Sequence, residues 1–332
     1  MTSTQTRAVL FHELGGPDVL TVEQVRLDGP RPGEVLLRVE ALGLNRAEAD
    51  FRAGTYFFPP TLPGSRLGYE AAGVVEAVGD GVTEFAHGDP VMTGPLIEMS
   101  AQGVYGDHIV LPVASVVARP DTTDAVTAAA TWMSYSTAYG GLLEAGRLTS
   151  GDHVLITAAS GGVGTAAIQI AARAGAVPIA VTRTDAKREA LLAAGAAHVI
   201  TTQNEDVTKE VKQLTDDRGV ELIFDPIGGP GLPALAEAAA PAGTIVLYGA
   251  MNGPAVMPFT WPLTVHGYAH GHLTATEAGR RRVNAFIDAG LRDGTIRPVI
   301  GEVFHGLDRI VDAHRLLESG QYTGKIVVTV EH

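Results

Sequence analysis

The sequence predicts an α/β protein in which a domain built on a parallel sheet is joined to a β-rich one. Three observations carry this reading. From about Asp121 onward, apolar β-branched runs alternate with Ala-rich helical stretches, the pattern of successive βαβ units. Within that region His153–Thr157 runs directly into the glycine turn Ala158–Gly164 and on into a helix, the grammar of a Rossmann-type domain. The chain before Asp121 holds short alternating runs separated by clusters of Gly, Pro and Asp.

In the β-rich part, strands are expected at Arg7–Phe11, Leu20–Val25, Glu34–Ala41, Ala71–Val78 and Asp107–Leu111, because each is β-branched or alternates between apolar and polar residues. Gly15-Gly16-Pro17, Pro30-Arg31-Pro32-Gly33, Gly79-Asp80-Gly81 and Gly88-Asp89-Pro90 supply the turns between them. In the second part, strands are expected at His153–Thr157, Val177–Thr182, His198–Ile200, Leu222–Asp225 and Thr244–Tyr248. Helices are expected between them at Val163–Ala174, Asp185–Ala194, Asp206–Thr215 and Gly231–Ala239. Helices at Thr276–Asp288 and Ile310–Ser319 and a closing strand at Lys325–Val330 read as a return to the first module. The expected domains are therefore residues 1–125 with 270–332, and residues 126–269.

Composition limits the function classes. The chain has 332 residues, 45% of them hydrophobic and 18% charged, so it can bury a large core and is not disordered. A formal charge of −13 argues against nucleic acid or an anionic membrane as the main partner. The absence of cysteine removes disulfides, thiolate nucleophiles and Cys-ligated metals. The apolar stretch Gly161–Thr182 is interrupted by Gln169, Arg173, four glycines and Pro178, and reads as a soluble α/β core. The N-terminus shows no signal pattern, and a cytoplasmic location is expected.

The turn Ala158-Ala159-Ser160-Gly161-Gly162-Val163-Gly164 places Ala158 where a dinucleotide fingerprint has its first glycine, and keeps the spacing at Gly161 and Gly164. Backbone N–H groups at such a turn and helix start suit a pyrophosphate. The strand that follows ends in Thr182-Arg183-Thr184, with Asp185, Lys187 and Arg188 next. Cations and hydroxyls there suit a ribose 2′-phosphate, which favours NADPH. Asp185 keeps NAD open, either as a ribose ligand or as a helix cap.

The sequence resembles the medium-chain dehydrogenase/reductase superfamily, within it the zinc-independent quinone oxidoreductase group that includes zeta-crystallin. The matching motifs span almost the whole chain: Gly15–Leu20, Pro32–Val35, Gly43–Glu48, Arg52–Tyr56, Leu67–Val75, Ala158–Gly164, Phe224–Gly229 and Gly324–Val328. The resemblance implies a β-rich GroES-like catalytic domain, a cleft against the NADPH domain, and a homodimer paired through cofactor-domain edge strands. The local feature for that dimer is the apolar run Thr244–Tyr248 followed by Met251–Phe259, which could leave a sheet edge unpaired unless Pro254–Pro258 covers it. Zinc enzymes of the superfamily carry Cys, His and Cys about where Asn45, Tyr69 and Met133 stand here, so the resemblance implies no zinc.

The resemblance also implies that Asn45 contacts the nicotinamide ribose side, with Thr137 nearby, and that Tyr56 is an active-site tyrosine. A second tyrosine position of the group falls here on the stretch holding Asp50 and Phe51. Ser160, Gly161, Gly162, Val163, Gly164, Thr182, Arg183, Lys187, Tyr248 and Gly249 complete the expected cofactor contacts, and Lys325 is expected either to reach a cofactor phosphate or to pack beside the last strand. His266, His270 and His272 sit in a segment whose Gly267 and Gly271 suggest a mobile loop, open to metal ligation or, for His270, substrate contact. Arg280-Arg281-Arg282 reads as a solvated helix face. No Tyr-x-x-x-Lys or Gly-x-Ser-x-Gly occurs, which removes short-chain reductase and serine hydrolase chemistry.

The expected function is NADPH-dependent reduction of a quinone or α,β-unsaturated carbonyl. A trans-acting enoyl-thioester reductase shares the scaffold and stays open, as does a zeta-crystallin-like binding protein.

Overall fold

The computed structural model describes residues 4–95 and 98–332. The chain divides into two compact units, Met1–Met133 with Ile300–His332, and Ser134–Val299.

In the first unit the 34–43 segment alternates as its sequence requires: Val35, Leu37, Val39 and Ala41 turn inward while the intervening side chains stay partly exposed. This strand is the spine of a seven-stranded sheet among the described residues. The order is Ile300–His305, Lys325–Thr329, Glu34–Gly43, Glu70–Val78, Pro90–Thr93 and Val116–Ala118, with His108–Pro112 also paired to the spine. Val327–Thr329 runs antiparallel to Ala41–Gly43, so the closing segment of the chain rejoins the β-rich module. A smaller sheet joins Thr21–Leu27, Thr4–Phe11 and Ser65–Arg66. Val9, Phe11, Leu37, Leu67, Ile109, Ile326 and Val328 form the core, capped by Ile310 and Leu317 of helix Ile310–Ser319.

The second unit is a six-stranded sheet, all parallel, in the order His198–Thr201, Val177–Thr182, His153–Ile156, Val220–Asp225, Ala239–Leu247 and Thr264–Gly267. Counted along the chain this is 3-2-1-4-5-6, the doubly wound dinucleotide-binding order. Helix Gly162–Arg173 lies close on the sheet through buried Gly164, Ala166, Ala167, Ile168, Ile170 and Ala171.

Several expectations need correction. The second boundary falls at Val299 rather than near 270, because helix Glu277–Asp293 packs on the parallel-sheet unit. Arg173 pairs with Asp293 at 2.6 Å, Phe286 packs on Tyr139, and Gln169 exchanges hydrogen bonds with the Arg297 backbone. The first boundary likewise lies at Met133 rather than 125, because Ala125–Ala129 packs on the spine strand and Glu70–Val78. The histidine segment is not a loop: His266 lies on strand Thr264–Gly267, and His270 and His272 lie on helix His270–Thr274. Among the described residues no three His, Asp or Glu side chains group as a metal site. The basic run is only partly a solvated face, since Arg282 pairs with Glu144 at 2.7 Å and Arg280 donates to the Thr274 carbonyl. Among the described residues no helix is long and apolar enough to cross a membrane.

Candidate functional site

The glycine turn grows out of the first strand of the parallel sheet and is tied to its neighbours. Thr157 N–H donates to the Phe224 carbonyl and Ala159 N–H to that of Val181. Ala158 adopts φ +46°, the left-handed conformation that the usual glycine takes freely and that costs alanine about 1–2 kcal/mol. Gly164 is needed for a different reason: a Cβ there would lie 2.5 Å from the Ala159 carbonyl oxygen. At Gly161, by contrast, a Cβ would meet nothing nearer than 3.6 Å, so the outer face of the turn is open to a ligand at the helix start. Gly162 and Val163 form the first turn of helix Gly162–Arg173, and Thr182 is buried at the end of its strand.

Lys187 Nζ lies 3.2 Å from Ser160 Oγ, which joins the second-strand loop to the glycine turn. Burial and the neighbouring charge of exposed Arg183 both lower the Lys187 pKa, so these two cations share one locality. Asp185 has its own partners. It accepts from Arg188 Nε at 3.0 Å, Thr201 Oγ1 at 3.3 Å and Asn204 Nδ2 at 3.2 Å. Arg188 also pairs with Glu205 at 3.1 Å, and so braces this loop.

At the end of the fourth strand, Asp225 accepts from Thr157 Oγ1 and, at 2.8 Å, from Gly228 N–H, which fixes the turn across the switch in strand order. Tyr248 stacks on Phe224 at 4.1 Å. Gly249 lets the chain pass close to that turn, since a Cβ would stand 2.7 Å from the Pro226 carbonyl oxygen. Thr137 is buried on helix Trp132–Tyr139, and Ser136 Oγ lies 2.8 Å from His270 Nε2. Burial pushes the His270 pKa down to about 4, which keeps the ring neutral at pH 7.

The first unit gathers its own cluster. Asn45 caps helix Arg46–Arg52: its N–H donates to Glu48 Oε2 at 2.7 Å, in the reciprocal capping arrangement that Asn-x-x-Glu allows. Asn45 Nδ2 donates to Glu48 Oε1 at 3.1 Å and to the Gly43 carbonyl at 3.3 Å, while Oδ1 accepts from Lys325 Nζ at 2.7 Å. Lys325 also pairs with Glu70 at 2.6 Å; the two side chains are 4% and 1% exposed. Glu70 accepts from Met133 N–H at 2.9 Å. Glu48 further accepts from Tyr105 Oη and, at 2.9 Å, from Tyr69 N–H. Burial pushes the Glu48 pKa up, opposed by Tyr105, the backbone donors and Lys325. Gly68, at φ +104°, brings its backbone against the Tyr105 ring where no side chain would fit.

Lys325 opens the last strand and is a buried ion-pair partner, with its ammonium on Glu70 and Asn45. Tyr56 is half-buried, and Tyr69 Oη donates to its hydroxyl over a long 3.4 Å. Burial raises the Tyr56 pKa and keeps the phenol protonated, with its own proton to donate. In the sequence Tyr69 stands out only as occupying a zinc-ligand position of related enzymes, and nothing local marks Tyr105 or the pairing role of Glu70. None of these has a local signal, whereas the Asn45–Glu48 cap has one in its Asn-x-x-Glu spacing.

Comparison with known proteins agrees with this two-unit plan. Residues 31–121 match the alcohol dehydrogenase GroES-like domain, and residues 162–278 the zinc-binding dehydrogenase family. Human quinone oxidoreductase is 29% identical over 325 residues, covering 97% of each chain. A quinone oxidoreductase structure from Pseudomonas syringae is 30% identical with a TM-score of 0.88, covering 98% of this chain and 99% of that one. The Escherichia coli quinone oxidoreductase, solved with NADPH, is 25% identical with a TM-score of 0.87, covering 97% and 99%. The chain is an oxidoreductase built as a GroES-like unit with a Rossmann unit. It belongs to the medium-chain dehydrogenase/reductase superfamily, in its quinone oxidoreductase group.

Proposed function

We propose that the protein is an NADPH-dependent reductase of quinones or α,β-unsaturated carbonyls that works without zinc. The observation that carries the cofactor choice is the loop after the second strand. Its one carboxylate, Asp185, is engaged by Arg188, Thr201 and Asn204, while Arg183 and Lys187 cluster beside the glycine turn. A ribose 2′-phosphate suits two neighbouring cations and would offset their mutual repulsion. The open face at Gly161 and the N-terminus of helix Gly162–Arg173 suit the pyrophosphate.

When bound, the nicotinamide supplies a hydride. The residues of the chain prepare the acceptor for it. Tyr56 donates a hydrogen bond to the carbonyl oxygen on which negative charge grows, and Tyr69 orients that phenol. Asn45 has both amide hydrogens and its Oδ1 committed to Glu48, Gly43 and Lys325, so its side chain is held in one orientation. The donor set at the resemblance-implied metal positions also supports zinc-free chemistry: Asn45, Tyr69 and Met133 are poor zinc ligands, and Glu70 is neutralised by Lys325. A conjugated carbonyl needs no Lewis acid of the kind an alcohol oxidation requires.

NADPH oxidation is expected with members of a quinone and enone panel, and none with either class would refute the reading. Arg183→Ala or Lys187→Ala is expected to raise the NADPH dissociation constant by about 10-fold, the low end for an exposed charged contact, and to leave NADH nearly unaffected. Equal or better use of NADH by the unaltered protein would overturn the cofactor assignment.

The expected partner is a second copy of the chain. Thr244–Tyr248 does not leave a bare edge as supposed, because Ala239–Leu247 pairs with Thr264–Gly267. The open edge moves to Thr264–Gly267, and exposed Met257, Phe259 and Trp261 precede it. An edge strand beside exposed apolar residues supports pairing with an identical edge. Light scattering is expected to give a dimer mass, and a monomer mass throughout a concentration series would reject it.

A further inference from the structure

Around Tyr56 the first unit exposes a cluster of large apolar side chains that nothing in the fold requires. Phe57 is 79% exposed and Phe58 67%, although they are adjacent and both aromatic. Their rings meet the Tyr56 ring edge-on, with centroids 5.3 and 6.1 Å away. Single exposed hydrophobics are ordinary, but a contiguous group beside a functional side chain marks a binding surface.

The segment that carries the rings is braced. The N–H groups of Thr55 and Tyr56 both donate to the Asp50 carbonyl, at 2.9 and 3.2 Å, and Thr55 Oγ1 donates there too at 3.2 Å. On the other side Pro59 and Pro60 restrict the backbone. The Tyr56 ring is held from behind by Phe51, at 6.3 Å and nearly perpendicular, and by Tyr69 at 6.5 Å. A rigid pair of aromatic faces binds apolar groups with little ordering cost.

We propose that Phe57 and Phe58 form a platform for an apolar arm of the substrate, an alkyl chain or fused ring carried beside the carbonyl that Tyr56 serves. This rests on the reading of Tyr56 given above, and adds to it a substrate class: hydrophobic, extended carbonyl compounds rather than small polar ones. The occupant is argued from continuity, since both rings touch the Tyr56 ring itself.

The test is a homologous series of straight-chain enones with NADPH, from four to ten carbons, read as kcat/KM against chain length. A methylene laid on one aromatic face loses about half its contact with water, so kcat/KM is expected to rise about 2-fold per methylene. In the Phe57→Ala/Phe58→Ala variant the ratio of longest to shortest substrate is expected to fall several-fold toward one. The ratio is internal to each variant, so altered folding yield does not move it. Turnover without chain-length dependence, or the same dependence in the double variant, would overturn the platform and leave the reductase intact. No turnover across the series or with quinones would overturn the reductase reading, and the platform with it. A dimer that becomes a monomer in the double variant would assign the rings to a second copy and also overturn the platform.

Discussion

Lys325→Met is expected to lower the stability of the GroES-like unit by about 3–5 kcal/mol, the cost of leaving one member of a buried ion pair without its partner. Lys325 and Glu70 are almost wholly inaccessible and 2.6 Å apart. Without the ammonium, Glu70 keeps the Met133 N–H at 2.9 Å and a long contact to Asn45 Nδ2 at 3.5 Å, too little for a buried carboxylate. Adding Glu70→Gln removes the stranded charge, keeps the Met133 acceptor, and is expected to recover at least half of the loss. The measurement is chemical denaturation followed by Trp132 fluorescence, because Trp132 is buried in this unit whereas Trp261 is largely exposed. A loss below about 1 kcal/mol, or strictly additive single changes, would show that the pair does not hold the unit together.

Acidification from pH 7 to 5 is expected to destabilise the same unit by about 2 kcal/mol through His314 alone. Both ring nitrogens of His314 are buried without a hydrogen-bond partner among the described residues. Burial, aided by the Arg52 charge, pushes its pKa down to about 3, against about 6.5 in an unfolded chain. Below pH 6.5 the unfolded chain therefore binds a proton that the folded one does not, and stability falls by about 1.4 kcal/mol per pH unit until about pH 3. Glu48 acts with the opposite sign. Its raised pKa makes the fold hold a proton longer than the unfolded chain, a contribution lost as pH rises through the folded value. That contribution is common to the unaltered protein and to His314→Leu, so it cancels when the two are compared. The Trp132 transition of His314→Leu should lose about 2 kcal/mol less than the unaltered protein between pH 7 and 5, and equal losses would refute the assignment. His270, held down at about 4, adds a similar sensitivity to the Rossmann unit.

The parts legible in the sequence were those set by local rules. The glycine turn, the helix Gly162–Arg173 and the core strands of the parallel sheet follow from residue periodicity and from the close approach at Gly164, each decided within about a dozen residues. The Asn45–Glu48 cap carries the same kind of local signal, though the sequence reading places those residues only within a family motif. The cations beside the glycine turn were legible too, because Arg183 and Lys187 follow their strand directly.

Short strands such as Ser65–Arg66 and Val116–Ala118 were not legible, because too few residues alternate in them and their partners lie far along the chain. The partners of Asp185 were undecidable for the same reason, since Thr201 and Asn204, which donate to it, come from the next strand and loop. Lys325 is the clearest case. A lysine beside a glycine reads as exposed or as a phosphate ligand, since an ammonium is buried only where an opposite charge meets it. Its partners Asn45 and Glu70 lie 280 and 255 residues away, and they meet it because the last strand of the chain pairs with Glu34–Gly43. Propensity and spacing act over a turn or a strand, and so they determined the elements. Charge pairing and burial act only between surfaces that the fold has already brought together, so the polar cluster that orients Asn45 was decided by tertiary structure alone.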